Sequence, residues 1–230
     1  MIVGNGLVAN AFREYDRDDV VFFASGVSNS LETDQAQFDR EENLIRKTIE
    51  ENPGKIFVYF STCSIYDSSK NASFYVNHKL NMEHLVASDC EKYLIARVSN
   101  AVGKGGNPNT LINFLVHSIS GNSVVKAHID ATRNLIDVED VVKITMELLQ
   151  ENKINRIVNV AYLANYSIVQ IITIVEDFLG KKAELELLKA GQSYSIDIPD
   201  VQDYFRRKNL QDKENYLSGI LKKYYQNYLS

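Results

Sequence analysis

The chain has 230 residues, 45% apolar and 24% charged, with 25 Lys and Arg against 30 Asp and Glu for a net charge of −5. That length and mix suit a globular protein with a substantial core, and the lack of a long basic block excludes the clustered cations that nucleic-acid binding demands. Two cysteines, Cys63 and Cys90, make no disulfide framework, no apolar run approaches the roughly 18 to 20 residues that span a bilayer, and no charged leader precedes Met1-Ile-Val-Gly4, so a reduced, cytoplasmic protein without membrane association is expected.

Met1-Ile-Val runs straight into Gly4-Asn-Gly6-Leu-Val-Ala9 and a helical pattern. This is the form of a dinucleotide-binding turn: Gly4 permits the tight bend, Gly6 lets backbone approach a pyrophosphate, and small Ala9 lets the helix pack on the strand. A plain strand-to-helix turn is the alternative for so short a motif. Asp18 to Gly26 reads as a second buried strand ending in small residues. Only Arg13 to Asp19 separate it from the first helix, whereas a complete dinucleotide fold carries an acidic residue for the adenine ribose about 20 residues past the glycines. One or two early βα units are therefore missing.

Asp34 to Asn52 has helical periodicity through Phe38, Leu44, Ile45 and Ile49, and stops at Pro53-Gly54. Lys55 to Thr62 is a buried strand, Tyr75 to Ser88 a helix and Tyr93 to Ser99 another strand. A glycine-rich loop leads to a helix over Thr110 to Ser120, and Val124 to His128 is a candidate strand. Asp137 is a candidate N-cap for a helix from Val138 to Asn152, with Glu139 and Asp140 offsetting its dipole rather than forming a paired-carboxylate site. Arg156 to Ala161 is a strand, Ser167 caps a helix that Gly180 ends, and the tail holds a strand near Glu184 to Leu188 and polar helix with aromatic punctuation. Short β-rich runs alternating with helices predict an α/β protein with a mainly parallel sheet covered on both faces.

Chemistry concentrates around the strand ending Ser61-Thr62-Cys63-Ser64 and the helix opening at Tyr75. Tyr75 and Lys79 stand four apart and share a helical face. An ammonium there favours phenolate, which lets the tyrosine exchange a proton with a substrate hydroxyl or carbonyl, and Thr62 supplies a second hydrogen bond to the same oxygen. Tyr66 with Lys70 and Tyr204 with Lys208 repeat the spacing, but neither follows a Ser-Thr strand end and opens an apolar-periodic helix. Cys63 has no histidine near it in sequence and reads as a packed or substrate-lining thiol. His78, His84, His117 and His128 lack metal-ligand spacing; His78, inside the catalytic turn, is a candidate to face substrate. The tyrosines of Lys222 to Tyr228 read as packing or dimer contacts.

In series, these segments resemble the extended short-chain dehydrogenase/reductases, the NAD-dependent epimerase/dehydratase group that modifies nucleotide sugars. Phe60-Ser-Thr-Cys-Ser-Ile-Tyr-Asp67 is similar to the family's Ser-Thr/Ser-x-x-Val-Tyr-Gly segment, with Asp67 in place of the glycine. Tyr75-Val-Asn-His-Lys79 with Glu83 resembles its Tyr-x-x-x-Lys helix, Arg97-Val-Ser-Asn100-Ala-Val-Gly103 its Arg-x-x-Asn-x-x-Gly loop, and Thr132 to Asp140 the segment whose arginine meets the sugar nucleotide's phosphates. The matches run in family order from residue 1 to about 180.

The resemblance implies a Rossmann-like core over residues 1–165, with a substrate-loop insertion near 104–130, and a small substrate-binding lobe and tail over 166–230. It implies catalysis by Thr62, Tyr75 and Lys79, and NAD or NADP held by Gly4, Asn5, Gly6, Leu7, Val8, Ala24, Ser25, Tyr75 and Lys79, the lysine on the nicotinamide ribose. A nucleotide-sugar substrate would meet Ser61, Cys63, Ser64, His78, Asn100 and Arg133; no metal is implied, and a homodimer is expected. Sugar 4,6-dehydratases of the family carry an Asp-Glu pair where this chain has Cys63-Ser64, which argues against dehydration. The expected activity is reduction of a nucleotide-linked keto-sugar in surface-polysaccharide or deoxysugar synthesis, with epimerisation, or a non-catalytic binding module, as the alternatives.

Overall fold

The computed structural model describes residues 1–70 and 72–229. The chain begins β1 (Ile2–Val3), α1 (Leu7–Ala11), β2 (Val20–Phe23), α2 (Gln35–Glu51), β3 (Ile56–Thr62), α3 (Phe74–Asp89) and β4 (Tyr93–Val98). It continues β5 (Asn100–Val102), α4 (Leu111–Ser120), β6 (Val125–His128), β7 (Thr132–Arg133), β8 (Leu135–Asp137) and α5 (Val138–Gln150). The last elements are β9 (Arg156–Val160), β10 (Tyr166–Ser167), α6 (Ile168–Leu179), β11 (Leu185–Leu188), α7 (Gln202–Arg207) and α8 (Lys213–Tyr224).

Local chemistry sets many of these boundaries. Asp34 caps α2 by accepting from the Ala36 amide at 3.0 Å, and Gly54, at φ +76°, turns the chain beyond its end. The Ser73 hydroxyl accepts from the Val76 amide and starts α3 one residue before Tyr75. Ser167 and Gln170 form a reciprocal capping box on α6, which ends at Gly180 in the left-handed region.

The described residues form two compact units, Met1–Ser99 with Val138–Val160, and Asn100–Asp137 with the chain from Ala161 on. This differs from a single cut near residue 165. The chain leaves the first sheet after β4 and returns through α5, because β9 joins β4 in parallel and a parallel neighbour needs a crossover. The stretch near 104–130, expected as an insertion in the first domain, belongs to the second unit, where β6 pairs with β11.

In the first unit five parallel strands run in the order β1-β2-β3-β4-β9. β1 lies at an edge, paired directly with β2, so the units that the short interval omits are those that would stand on the outer side of β1 in the classic strand order. One sheet face packs Val21, Phe23, Phe57, Tyr59 and Ile95 against Ile45 of α2 and Met82, Leu85 and Val86 of α3. On the other, Phe12 beyond α1 meets Phe22 at 4.7 Å and Phe60 at 5.1 Å between ring centres, with α5 beside α1. Each such buried side chain contributes about 1.5 to 3 kcal/mol.

The second unit holds the parallel pairs β5 with β8 and β6 with β11 and the antiparallel pair β7 with β10. Tyr162 stacks on Tyr216 at 4.0 Å and meets the edge of Phe205 at 5.2 Å, and its hydroxyl donates to the Leu210 carbonyl at 2.7 Å. Tyr225 is buried and donates to Asn113 at 2.5 Å, so this tail tyrosine packs within its own unit.

Candidate active site

The glycine turn is built on the end of β2. Gly4 has φ +126°, and a Cβ there would lie 2.5 Å from the Ala24 carbonyl oxygen and 2.7 Å from its carbon. Only glycine meets both demands. Gly6 precedes α1 with φ −78° and nothing within 4 Å of a Cβ position, so room is left over the backbone. Asn5 is exposed, its carbonyl accepting from the Asn10 side chain at 3.0 Å, Leu7 and Val8 are half-buried, and Ala9 is fully buried. Ala24 donates to the Val3 carbonyl at 2.8 Å, and Ser25 receives the Arg40 guanidinium on its carbonyl at 3.0 Å.

At the end of β3 the Thr62 oxygen accepts from the Ser64 amide at 3.0 Å, shaping a short turn over Cys63–Tyr66. That bond uses a lone pair and leaves the hydroxyl hydrogen to donate. The Cys63 thiol donates to the Arg97 carbonyl at 3.0 Å, and burial pushes it up to about 12, against the pull of Arg97. It is a packed thiol, not a nucleophile at neutral pH. The Ser61 hydroxyl donates to Glu83 at 2.5 Å, and Glu83 takes a forked grip from Arg97 with contacts of 2.6 and 2.9 Å. Ser61, Arg97 and Asn159 stand in register across β3, β4 and β9, and Tyr66 links Asn159 at 3.0 Å to Arg97 at 3.4 Å. Ser61 is thus engaged in a protein network, where the sequence suggested a substrate contact.

Tyr75, near the start of α3, packs with Val27, Phe38 and Val76, and its hydroxyl enters none of the described hydrogen bonds. Lys79 does not pair with it. The Lys79 ammonium, 2% exposed, donates to Glu41 Oε1 at 3.0 Å and the Tyr59 hydroxyl at 3.1 Å and lies over the Tyr59 ring. The four-residue spacing aligned the two side chains on α3, but a carboxylate on α2 attracts the ammonium more strongly than a phenol. His78 likewise turns to Glu41 at 3.0 Å and lies against Phe38 at 4.7 Å between ring centres, where the sequence suggested that it faced substrate.

Glu41 is the centre of this cluster and has no exposure. It accepts from Tyr59 at 2.7 Å, from the Val27 amide at 2.6 Å, and from Lys79 and His78. Burial pushes its carboxyl up, but Lys79, His78, Tyr59 and the Val27 amide together hold it well below the usual carboxylate range. Burial, with the Glu41 charge beside it, pushes the Tyr59 phenol well above its ordinary value. Gly26 covers the pair: a Cβ there would run into the Lys79 ammonium and lie 2.7 Å from Glu41 Oε1.

Sequence reading missed Glu41, Tyr59 and Gly26. The one available signal was a charge within the buried stripe Phe38, Glu41, Ile45 and Thr48 of α2.

Asn100 and Arg133 belong to the second unit. The Asn100 side chain donates to the Asn134 carbonyl at 2.8 Å; Arg133 lies in β7 opposite Tyr166 and donates to the Thr132 carbonyl at 2.7 Å. Asp137, expected as a helix cap, accepts from Lys223 at 2.9 Å and from Tyr224 at 2.6 Å. Among the described residues no His, Cys, Asp and Glu cluster could hold a metal ion, and no helix is long and apolar enough to cross a membrane.

A family model described as the NAD dependent epimerase/dehydratase family matches residues 3–161. Solved structures share the fold at low identity. RMD from Pseudomonas aeruginosa, complexed with NADPH, is 19% identical with a TM-score of 0.69, over 92% of this chain and 82% of that one. UDP-glucuronic acid 4-epimerase from Bacillus cereus, with UDP-glucuronic acid and NAD, is 18% identical with a TM-score of 0.68, over 94% and 79%. The dTDP-glucose 4,6-dehydratase of Bacillus anthracis str. Ames, in complex with NAD, is 15% identical with a TM-score of 0.67, over 95% and 78%. No curated protein matches the sequence.

Proposed function

Because the chain belongs to the NAD dependent epimerase/dehydratase family, we propose that it is an NAD(P)-dependent reductase of a nucleotide-linked keto-sugar. The observation that carries the choice of reaction is the buried contact of Lys79 with Glu41 at 3.0 Å. Carbonyl reduction asks Tyr75 to give a proton, which a neutral phenol does. An epimerase first asks for the phenolate, the form that an unpaired ammonium would favour. Here the ammonium's charge is met by a carboxylate.

The glycine turn fits a dinucleotide: Gly4 is pressed on Ala24, and the space over Gly6 leaves backbone open to a pyrophosphate. Gly4, Asn5, Gly6, Leu7 and Val8, with Ala24 and Ser25 beside them, would hold it. When bound, the dinucleotide supplies the hydride. Tyr75, whose hydroxyl enters no hydrogen bond among the described residues, gives the proton to the carbonyl oxygen. Thr62 donates to the same oxygen while the Ser64 amide fixes its position. Asn100 and Arg133 are assigned to the sugar nucleotide, the arginine to its phosphates. Dehydration is not expected, since a thiol held at about 12 supplies no acid or base at neutral pH.

With β1 at the sheet edge, no strand among the described residues stands on its outer side to offer a residue for the adenine ribose. Weak binding suits a reductase, which releases oxidised cofactor each cycle. The test is to isolate the protein and assay it with NADH or NADPH and a nucleotide 4-keto-sugar. The expected result is a protein largely free of dinucleotide, with micromolar or weaker Kd, that oxidises one reduced cofactor per sugar. Tyr75→Phe should abolish turnover and spare folding and sugar-nucleotide binding. Tightly bound NAD, with epimerisation needing no added reductant, would overturn this reading in favour of the epimerase; no binding of either dinucleotide would favour a non-catalytic module.

A further inference from the structure

We infer that Glu41 withdraws Lys79 from the cofactor, so that in this chain the lysine is a buried counter-ion and contributes nothing to dinucleotide affinity. Three independent features of the structure meet on this point. The first is partnership: the ammonium has a carboxylate at 3.0 Å and a phenol oxygen at 3.1 Å, and lies 5.0 Å from the centre of the Tyr59 ring. The second is enclosure. Lys79 is 2% exposed, Glu41 has no exposure, and the Gly26 backbone lies so close that a methyl group at residue 26 would strike the ammonium. The third is that Glu41 is itself over-determined. Its second oxygen takes the Val27 amide at 2.6 Å and His78 at 3.0 Å, so the carboxylate is anchored to the loop after β2 and to α3 at once.

Moving Lys79 out to a ligand would leave Glu41 as a buried charge that has lost its closest cation, the costliest way to dismantle such a pair. Ser25 is fixed from the same helix, since Arg40, the residue before Glu41, holds its carbonyl and hydroxyl at 3.0 and 3.4 Å. Two consecutive residues of α2 therefore clamp the segment Ser25 to Val27 over the ammonium. A ligand resting on the glycine turn and on Ala24 and Ser25 meets a surface already closed above Lys79.

The affinity part of the inference rests on the dinucleotide-dependent reading above; the enclosure part does not. The wild-type chain is first treated with an acylating reagent and the lysines are followed by mass spectrometry, with and without NADH. Lys79 is expected to react at least tenfold more slowly than Lys47, whose side chain is 68% exposed, and equally slowly with and without NADH. Reaction as fast as Lys47, or protection that needs NADH, overturns the inference. The double variant Glu41→Gln/Lys79→Met, which removes both charges and leaves neither unpaired, is then titrated with NADH and NADPH. A Kd within threefold of wild type upholds the inference, and a larger rise overturns it. If the double variant does not fold, the labelling result decides. A wild-type chain that binds neither dinucleotide defeats the proposed function, while the labelling still decides whether Glu41 encloses Lys79.

Discussion

The two glycines of the first turn should fail in different ways. Alanine at position 4 must adopt φ +126°, outside the regions open to an L-residue, at a cost of about 1 to 3 kcal/mol. Its Cβ would also sit 2.5 Å from the Ala24 oxygen and 2.7 Å from the carbon, both backbone atoms that cannot rotate aside. An overlap that forces backbone to move costs about 1 to 3 kcal/mol more. Gly4→Ala should therefore lose about 2 to 6 kcal/mol, which lowers the melting temperature by roughly 4 to 24 °C in a chain of this length. Alanine at position 6 meets nothing within 4 Å at an ordinary φ of −78°, and costs under about 1 kcal/mol through its poorer capping of α1. Its methyl group occupies the space assigned to the pyrophosphate, so Gly6→Ala should bind NADH at least tenfold more weakly while melting within a few degrees of wild type. Differential scanning calorimetry and a fluorescence titration of NADH on both variants make the comparison. Equal losses of stability in the two, or unchanged NADH affinity in Gly6→Ala, would refute the reasoning.

Three further outcomes are expected. Because the Glu41 carboxyl lies below its unfolded value of about 4.3, its contribution to stability is complete above that pH and is lost as the pH falls through the lower folded value. Melting temperatures taken downward from pH 5 should thus fall more steeply for wild type than for Glu41→Gln/Lys79→Met, and parallel curves would show that Glu41 is not the group that titrates. Burial pushes the Cys63 thiol up to about 12 and the Cys90 thiol up to about 11, so at pH 8 iodoacetamide should modify both far more slowly in the folded protein than in urea; rapid folded-state alkylation of Cys63 would contradict its packing. Arg133→Ala should weaken binding of a nucleoside diphosphate about ten- to a hundredfold by calorimetry, from charge-assisted bonds worth about 1.5 to 3 kcal/mol, and undiminished affinity would show that the arginine serves only its own unit.

Much of both units was legible where the rules are local. The glycine turn, the Ser167 cap, the stop at Gly180 and the buried run of β3 each depend on residues within one or two turns of chain. The short interval after α1 also announced a sheet that begins with β1 at its edge. The alignment of Tyr75 and Lys79 on α3 followed from helical spacing alone. The partner of Lys79 did not: Glu41 lies 38 residues earlier, on a helix whose orientation over β3 is set by the packing of Ile45, Met82 and Val86. Position along the chain says nothing of which buried charge will meet which, because that is decided when two helices settle on one sheet face and each polar group left inside must find a partner. The division into units escaped the sequence for the same reason. β6 joins β11 and β7 joins β10 across long stretches of chain, and a strand's own residues fix its alternation of faces but not the neighbour that completes its hydrogen bonds.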